Sequence, residues 1–283
     1  MANDYSIGSV SYLNARPLIH GLDRDPDIHL ELAVPAMLLE GLRSRRFDVA
    51  LLPVIDYQRL PDARIVPSGG IGCDGPTLTV RIFSRVPIEK ITSLACDTES
   101  HSSVALARIV LARRYGITPR LVDLTEGASD AEAVLLIGDK VVVNEPKGME
   151  HQLDLGAAWK ELTSMPFVFA VWVTRGGVDL GDLPQRLLEA KDRGLADLPN
   201  IVAHHAVPRG WSADLAMQYL SVNLKYEIGV PQLEAIRLFH QWAAEHEIIA
   251  APRPLEIYGE GIRVSTFPAT FPGQPRSSAS SPR

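Results

Sequence analysis

Across residues 7–54, short apolar runs alternate with amphipathic segments, and this alternation leaves few folds open to the chain. Ile7, Val10, Tyr12 and Leu13 give strand character that breaks at Asn14 and turns straight into a helix, while Ser9 and Ser11 alternate toward the other face. Residues 28–34 read as a second strand, 35–46 as a helix with Met37, Leu38 and Leu42 on one face, and 48–54 as a buried third strand. Strand, helix, strand, helix, strand is the pattern of a parallel α/β sheet, whose ligands gather at the carboxyl ends of the strands. Asn14 is a natural N-cap there, and Pro17 suits a first helical turn because it gives up no intrahelical hydrogen bond. The unpaired N–H groups and positive dipole end of such a helix face outward, as an anion site requires.

Residues 69–76 read as a glycine-rich loop and 77–84 as the strand after it. A second α/β unit follows, with strands at 94–97, 120–124 and 133–137, helices at 100–115 and 155–162, and an apolar strand at 167–173. From residue 183 the pattern is almost wholly helical, best at 183–193, 212–226 and 232–246. Between the strand at 94–97 and its helix lies Asp97-Thr98-Glu99-Ser100-His101-Ser102-Ser103, with four hydroxyls within six residues. Hydroxyls and free backbone N–H groups at a helix start suit a carboxylate; simple capping by Ser100 or Ser102 is the alternative use. Gly138-Asp139 closes an apolar strand and puts a carboxylate at its carboxyl end, where it orients a ligand or serves the turn.

Composition removes several function classes. The 283 residues are 46% hydrophobic and 22% charged, enough apolar side chain for one large domain or two lobes. A formal net charge of −6 argues against nucleic acid or an anionic membrane as the main partner, so an anionic ligand must be held locally. No segment approaches the roughly 18 uncharged apolar residues of a membrane span. Cys73 and Cys96 lack metal or redox spacing and read as reduced thiols; with no basic and apolar leader pattern in the first residues, the expectation is a cytoplasmic protein. The eight histidines show no metal-ligand spacing. No Gly-x-Gly-x-x-Gly follows a strand, and neither a Gly-x-Ser-x-Gly elbow nor a P-loop is present, against nucleotide-binding, triad-hydrolase and kinase readings. Residues 268–283, rich in Pro, Ser and Gly, read as a disordered tail.

Tyr12-Leu13-Asn14-Ala15-Arg16-Pro17-Leu18 resembles the N-terminal signature of the menaquinone biosynthesis family of the futalosine route. The block from Asp97 to Ser103 resembles that family's Thr-x-Ser-x-Thr/Ser-Ser stretch, with His101 at a variable position, and Asp154-Leu155-Gly156, Trp159 and Pro166 to Trp172 resemble its longest later block. Lys140 departs from the small apolar residue usual after the family's Gly-Asp.

The resemblance implies a type II periplasmic-binding-protein-like α/β fold, two lobes joined by two crossings and followed by a C-terminal helical segment. Residues 1–78 and 174–267 then form the first lobe and 79–173 the second. The implied reaction removes water from chorismate, a small dianion, giving 3-[(1-carboxyvinyl)oxy]benzoate with no metal or organic cofactor. Asn14 is the implied catalytic residue. It cannot take a proton at neutral pH, so it orients the substrate while the enolpyruvyl carboxylate of the substrate itself accepts the proton. The implied substrate-binding set is Ser11, Tyr12, Arg16, Thr79, Ser100, Ser102, Ser103 and Asp139, with Phe169 or Trp172 as a wall against a flat ring. Two other readings stay open: the 1,4-dihydroxy-6-naphthoate-forming enzyme of the same route, and a cytoplasmic solute-binding or sensor protein that catalyses nothing.

Overall fold

The computed structural model describes residues 4–96, 100–124, 131–143 and 146–259. The expected tail at 268–283, and Asp97, Thr98 and Glu99 of the hydroxyl block, lie outside the described residues. Among those described, eleven strands form two sheets. The first holds β1 (Tyr5–Ser9), β2 (Ile28–Leu32), β3 (Val49–Pro53), β4 (Ala63–Cys73), β10 (Phe167–Arg175) and β11 (Leu224–Lys225), in the order β11-β4-β10-β3-β1-β2. The second holds β5 (Val80–Ser84), β6 (Ser93–Cys96), β7 (Arg120–Asp123), β8 (Ala133–Ile137) and β9 (His151–Asp154), in the order β7-β6-β8-β5-β9.

The first three strands are parallel, with helix α1 (Pro35–Arg43) between β2 and β3 burying Leu38, Leu39 and Leu42. β3 is buried along its whole length, as its continuous apolar run requires. β10 lies antiparallel between β3 and β4. The chain therefore leaves the first sheet after β4, builds the second, and returns through the helix Leu155–Thr163 into β10. In the second sheet β6 runs parallel to β7 and β8, and helix α2 (His101–Tyr115) connects β6 to β7 while burying Leu106, Ile109 and Val110.

Three local expectations are corrected. Asn14 does not cap a helix: the segment Leu13–Ile19 is a 3₁₀ helix whose N-cap is Tyr12, with extended backbone and no side-chain cap, so Asn14 stands inside the first turn. Residues 69–73 are strand, not loop. A Cβ on Gly70 would lie 2.6 Å from the Ala170 carbonyl oxygen and one on Gly72 2.7 Å from that of Phe167, so glycine is what lets β4 approach the bulged strand β10. The helix expected at 212–226 is a helix only over Ala213–Gln218; it widens to a π turn at Tyr219–Asn223 and ends in β11.

The first crossing is clamped by one carboxylate. Asp154 caps the helix Leu155–Thr163 by accepting from the N–H groups of Gly156 and Ala157, each at 3.0 Å, and reaches across to those of Thr77 at 3.0 Å and Leu78 at 2.9 Å. Leu78 has φ of +68°, a conformation rare for a leucine and held here by that bond.

Candidate functional site between the two sheets

The carboxyl ends of the parallel strands and both crossings converge on a cavity of about 240 Å³, small enough to suit a one-ring ligand better than a dinucleotide. From the first lobe it takes Val10, Tyr12, Asn14, Leu51 and Pro53; from the second, Ser100 to Ser103 at the start of α2 and Ile137 to Lys140 after β8. The crossings add Thr77, Thr79 and Phe169, and the π turn adds Tyr219.

Of the residues singled out in the sequence, Tyr12, Asn14, Thr79, Ser100, Ser102, Ser103 and Asp139 meet at this cavity. Ser11 and Arg16 are not among those that line it. Ser11 is exposed, and its carbonyl accepts from the guanidinium groups of Arg16 at 3.2 Å and Arg209 at 2.9 Å. Burial and the neighbouring Arg209 both lower the pKa of Arg16, and burial together with those two arginines lowers that of His205. Phe169 walls the cavity, whereas Trp172 is fully buried in the core.

The side chain of Asn14 carries no capping duty. Its Oδ1 is buried with no hydrogen-bond partner, and its amide makes a hydrogen bond that lowers the pKa of the Tyr219 hydroxyl, against a larger rise from burial. Thr79 Oγ1 donates to Tyr219 Oη at 2.9 Å, and the Tyr219 ring stacks on Trp211 at 5.1 Å. Trp211 Nε1 in turn donates to Asp139 Oδ1 at 2.8 Å, and Arg209 Nη1 stands 3.8 Å from Asp139 Oδ2. Gly138, with φ of +60°, makes the turn that brings Asp139 here, and its N–H donates to the Thr79 carbonyl at 2.9 Å. Asn14, Tyr219, Thr79, Trp211 and Asp139 thus form one chain of contacts from one lobe to the other. The sequence pattern does not single out Tyr219, which lies within the helix expected at 212–226, or Arg209 and Trp211, which lie just before it. The one usable signal is the π turn, a frequent mark of functional sites that is visible only in the structure.

At the start of α2, the Ser100 side chain makes no capping bond. Ser102 Oγ accepts from the Ile55 N–H at 3.3 Å, and His101 Nδ1 lies 2.7 Å from Asp56 Oδ2. Both bonds reach the 3₁₀ segment Val54–Arg59 that follows β3, so they tie the second lobe to the first. Cys73, beneath the crossing, has its thiol pushed up to about 12 by burial and is no nucleophile at neutral pH. Among the described residues, no three His, Cys, Asp or Glu side chains gather as a metal site requires.

Two sheets, two crossings and a cleft lined from both sides define a periplasmic-binding-protein fold. The crystal structure of the periplasmic aliphatic sulphonate binding protein SsuA from Escherichia coli superposes with a TM-score of 0.62 at 14% identity, covering 94% of this chain and 97% of that one. Sequence narrows the class. The profile of the menaquinone biosynthesis family matches residues 5–245, and the chain belongs to that family. The chorismate dehydratase of Thermus thermophilus is 30% identical over 257 residues, 83% of this chain and 93% of the relative. The chorismate dehydratase of Campylobacter jejuni is 28% identical over 240 residues, 82% of this chain and 94% of that relative.

Proposed function

We propose that this chain eliminates water from chorismate to give 3-[(1-carboxyvinyl)oxy]benzoate, a hydro-lyase step of the futalosine route to menaquinone. The observation that carries the reading is the buried, unpartnered Oδ1 of Asn14 in a cavity lined by hydroxyls of both lobes, in a chain whose relatives are named for this activity. An orphaned buried amide oxygen costs about 1–3 kcal/mol, which a bound ligand with a donor in the right place recovers.

In the reaction, the ring C–H beside the ether oxygen breaks, acidified by conjugation with the ring carboxylate. Its electron pair forms the new ring double bond as the neighbouring C–O bond breaks. The enolpyruvyl carboxylate takes the proton and passes it to the departing hydroxide, which leaves as water. Asn14 accepts from the departing hydroxyl and donates through its amide, so it orients the reacting groups while holding no proton of its own. Tyr219 fixes that amide, and Tyr219 is itself fixed by the hydroxyl of Thr79 and by the stacked ring of Trp211, which Asp139 holds. Phe169 lies along a wall suited to a flat ring. The buried free cysteines Cys73 and Cys96 fit a reducing compartment, supporting a cytoplasmic setting.

The test mixes purified protein with chorismate and follows loss of the diene absorbance and appearance of the enolpyruvyl benzoate. Turnover is expected. Tight binding without turnover makes the protein a binding module and sinks the enzymatic reading.

A further inference from the structure

A doubly charged substrate needs positive charge, and the cavity wall holds little of it. Among the described residues that line the cavity, only His101 and Lys140 have side chains that can carry a positive charge. Lys140 is exposed, whereas His101 is fixed by contact with a carboxylate that has no exposed surface. Asp56 holds His101 Nδ1 at 2.7 Å through one oxygen and stands 3.2 Å from Arg59 Nη1 through the other. A carboxylate this deeply buried is tolerable only when it is paired, and here the pairing orients the imidazole ring. With Nδ1 committed to Asp56, no hydrogen bond to a described residue engages Nε2.

We propose that His101, held by Asp56, is the cationic group that receives one carboxylate of the substrate and sets the preference for dianionic ligands. The proposal rests on the chorismate reading above and names the residue of the second lobe that recognises charge. As an imidazolium, His101 donates through Nδ1 to Asp56 and through Nε2 to the ligand, with the hydroxyls of Ser100 and Ser103 beside it on the same wall. The other charged groups around the ring are Arg59 beyond Asp56, Arg108 and Asp123 in a second cavity that His101 also lines, and Asp139 and Lys140 across the first. Among the described residues, Asp56 is the one in contact with it.

The experiment measures kcat and KM for chorismate with the full chain in the wild type, His101→Gln and His101→Arg. His101→Gln raises KM about tenfold, as loss of one charge-assisted hydrogen bond requires, with kcat moving far less. His101→Arg, permanently charged, keeps KM low. A His101→Gln protein with wild-type KM overturns the proposal and leaves the dehydratase reading standing. Failure of the wild type to bind or convert chorismate overturns both.

Discussion

At the scale of single residues, Asn14 is the position where a stability cost and the proposed chemical use coincide. Its side-chain oxygen is buried without a partner, although the 3₁₀ helix around it needs nothing from that side chain. Replacing Asn14 with Ala should therefore leave thermal stability unchanged or raised while kcat for chorismate falls about a hundredfold or more, the usual size for loss of one positioned polar group. Asn14→Asp should lose activity to a similar extent, because a fixed negative charge beside a dianion opposes binding and the amide donor is gone; steady-state kinetics with a melting curve checks both. A protein with Asp at this position and full turnover would show that the amide has no specific role. Asn14, Tyr12, Thr79 and Asp139 are legible in the sequence because each sits at the end of a strand or in a recognisable block. The partners that orient them are not: Thr79 and Tyr219 are 140 positions apart, and His101 and Asp56 are 45 apart, so each pairing exists only after the two lobes have formed.

At the scale of elements, the strand-and-helix alternation of the first fifty residues translates almost directly into β1, β2, α1 and β3, because local apolar periodicity suffices to specify a buried strand or a one-faced helix. It fails at β4, where close approach to β10 demands glycines that ordinarily mark a loop. It fails again at residues 219–223, where stacking on Trp211 and the bond to Thr79 hold Tyr219 in a π turn that helix propensity does not foresee. The crossing between the lobes depends on Asp154 in a way that follows from its bonds. Asp154→Ala removes a helix cap and the bonds holding Thr77 and Leu78, where the backbone of Leu78 is strained. The expected loss is about 3 kcal/mol, or a fall in Tm of roughly 10 °C measured by calorimetry, with KM rising because Thr77 and Thr79 line the cavity.

At the scale of the whole molecule, the C-terminal helix Val230–Glu245 is tied to the segment that carries Asp56, and the tie is sensitive to acid. His240 is buried; its Nε2 donates to the Val54 carbonyl at 2.9 Å, and its Nδ1 accepts from Gln58 Nε2 at 2.7 Å, an arrangement that requires the neutral ring. Burial lowers its pKa from 6.5 to about 4, only partly opposed by the bond to Val54. The folded protein therefore binds fewer protons than the unfolded chain between those two values. Stability from this residue is fully present above about pH 6.5, falls as the pH drops through that window, and is lost below about 4, for a total near 3 kcal/mol. Thermal melting across that range should show Tm falling with acid in the wild type. In His240→Gln, whose amide can keep one of the two bonds but does not titrate, the starting Tm should be lower and its dependence on pH in that window shallower. Because Val54 and Gln58 flank the residue that positions His101, partial acid loosening here should raise KM for chorismate before the molecule unfolds. An equal pH slope in both proteins would place the acid sensitivity elsewhere.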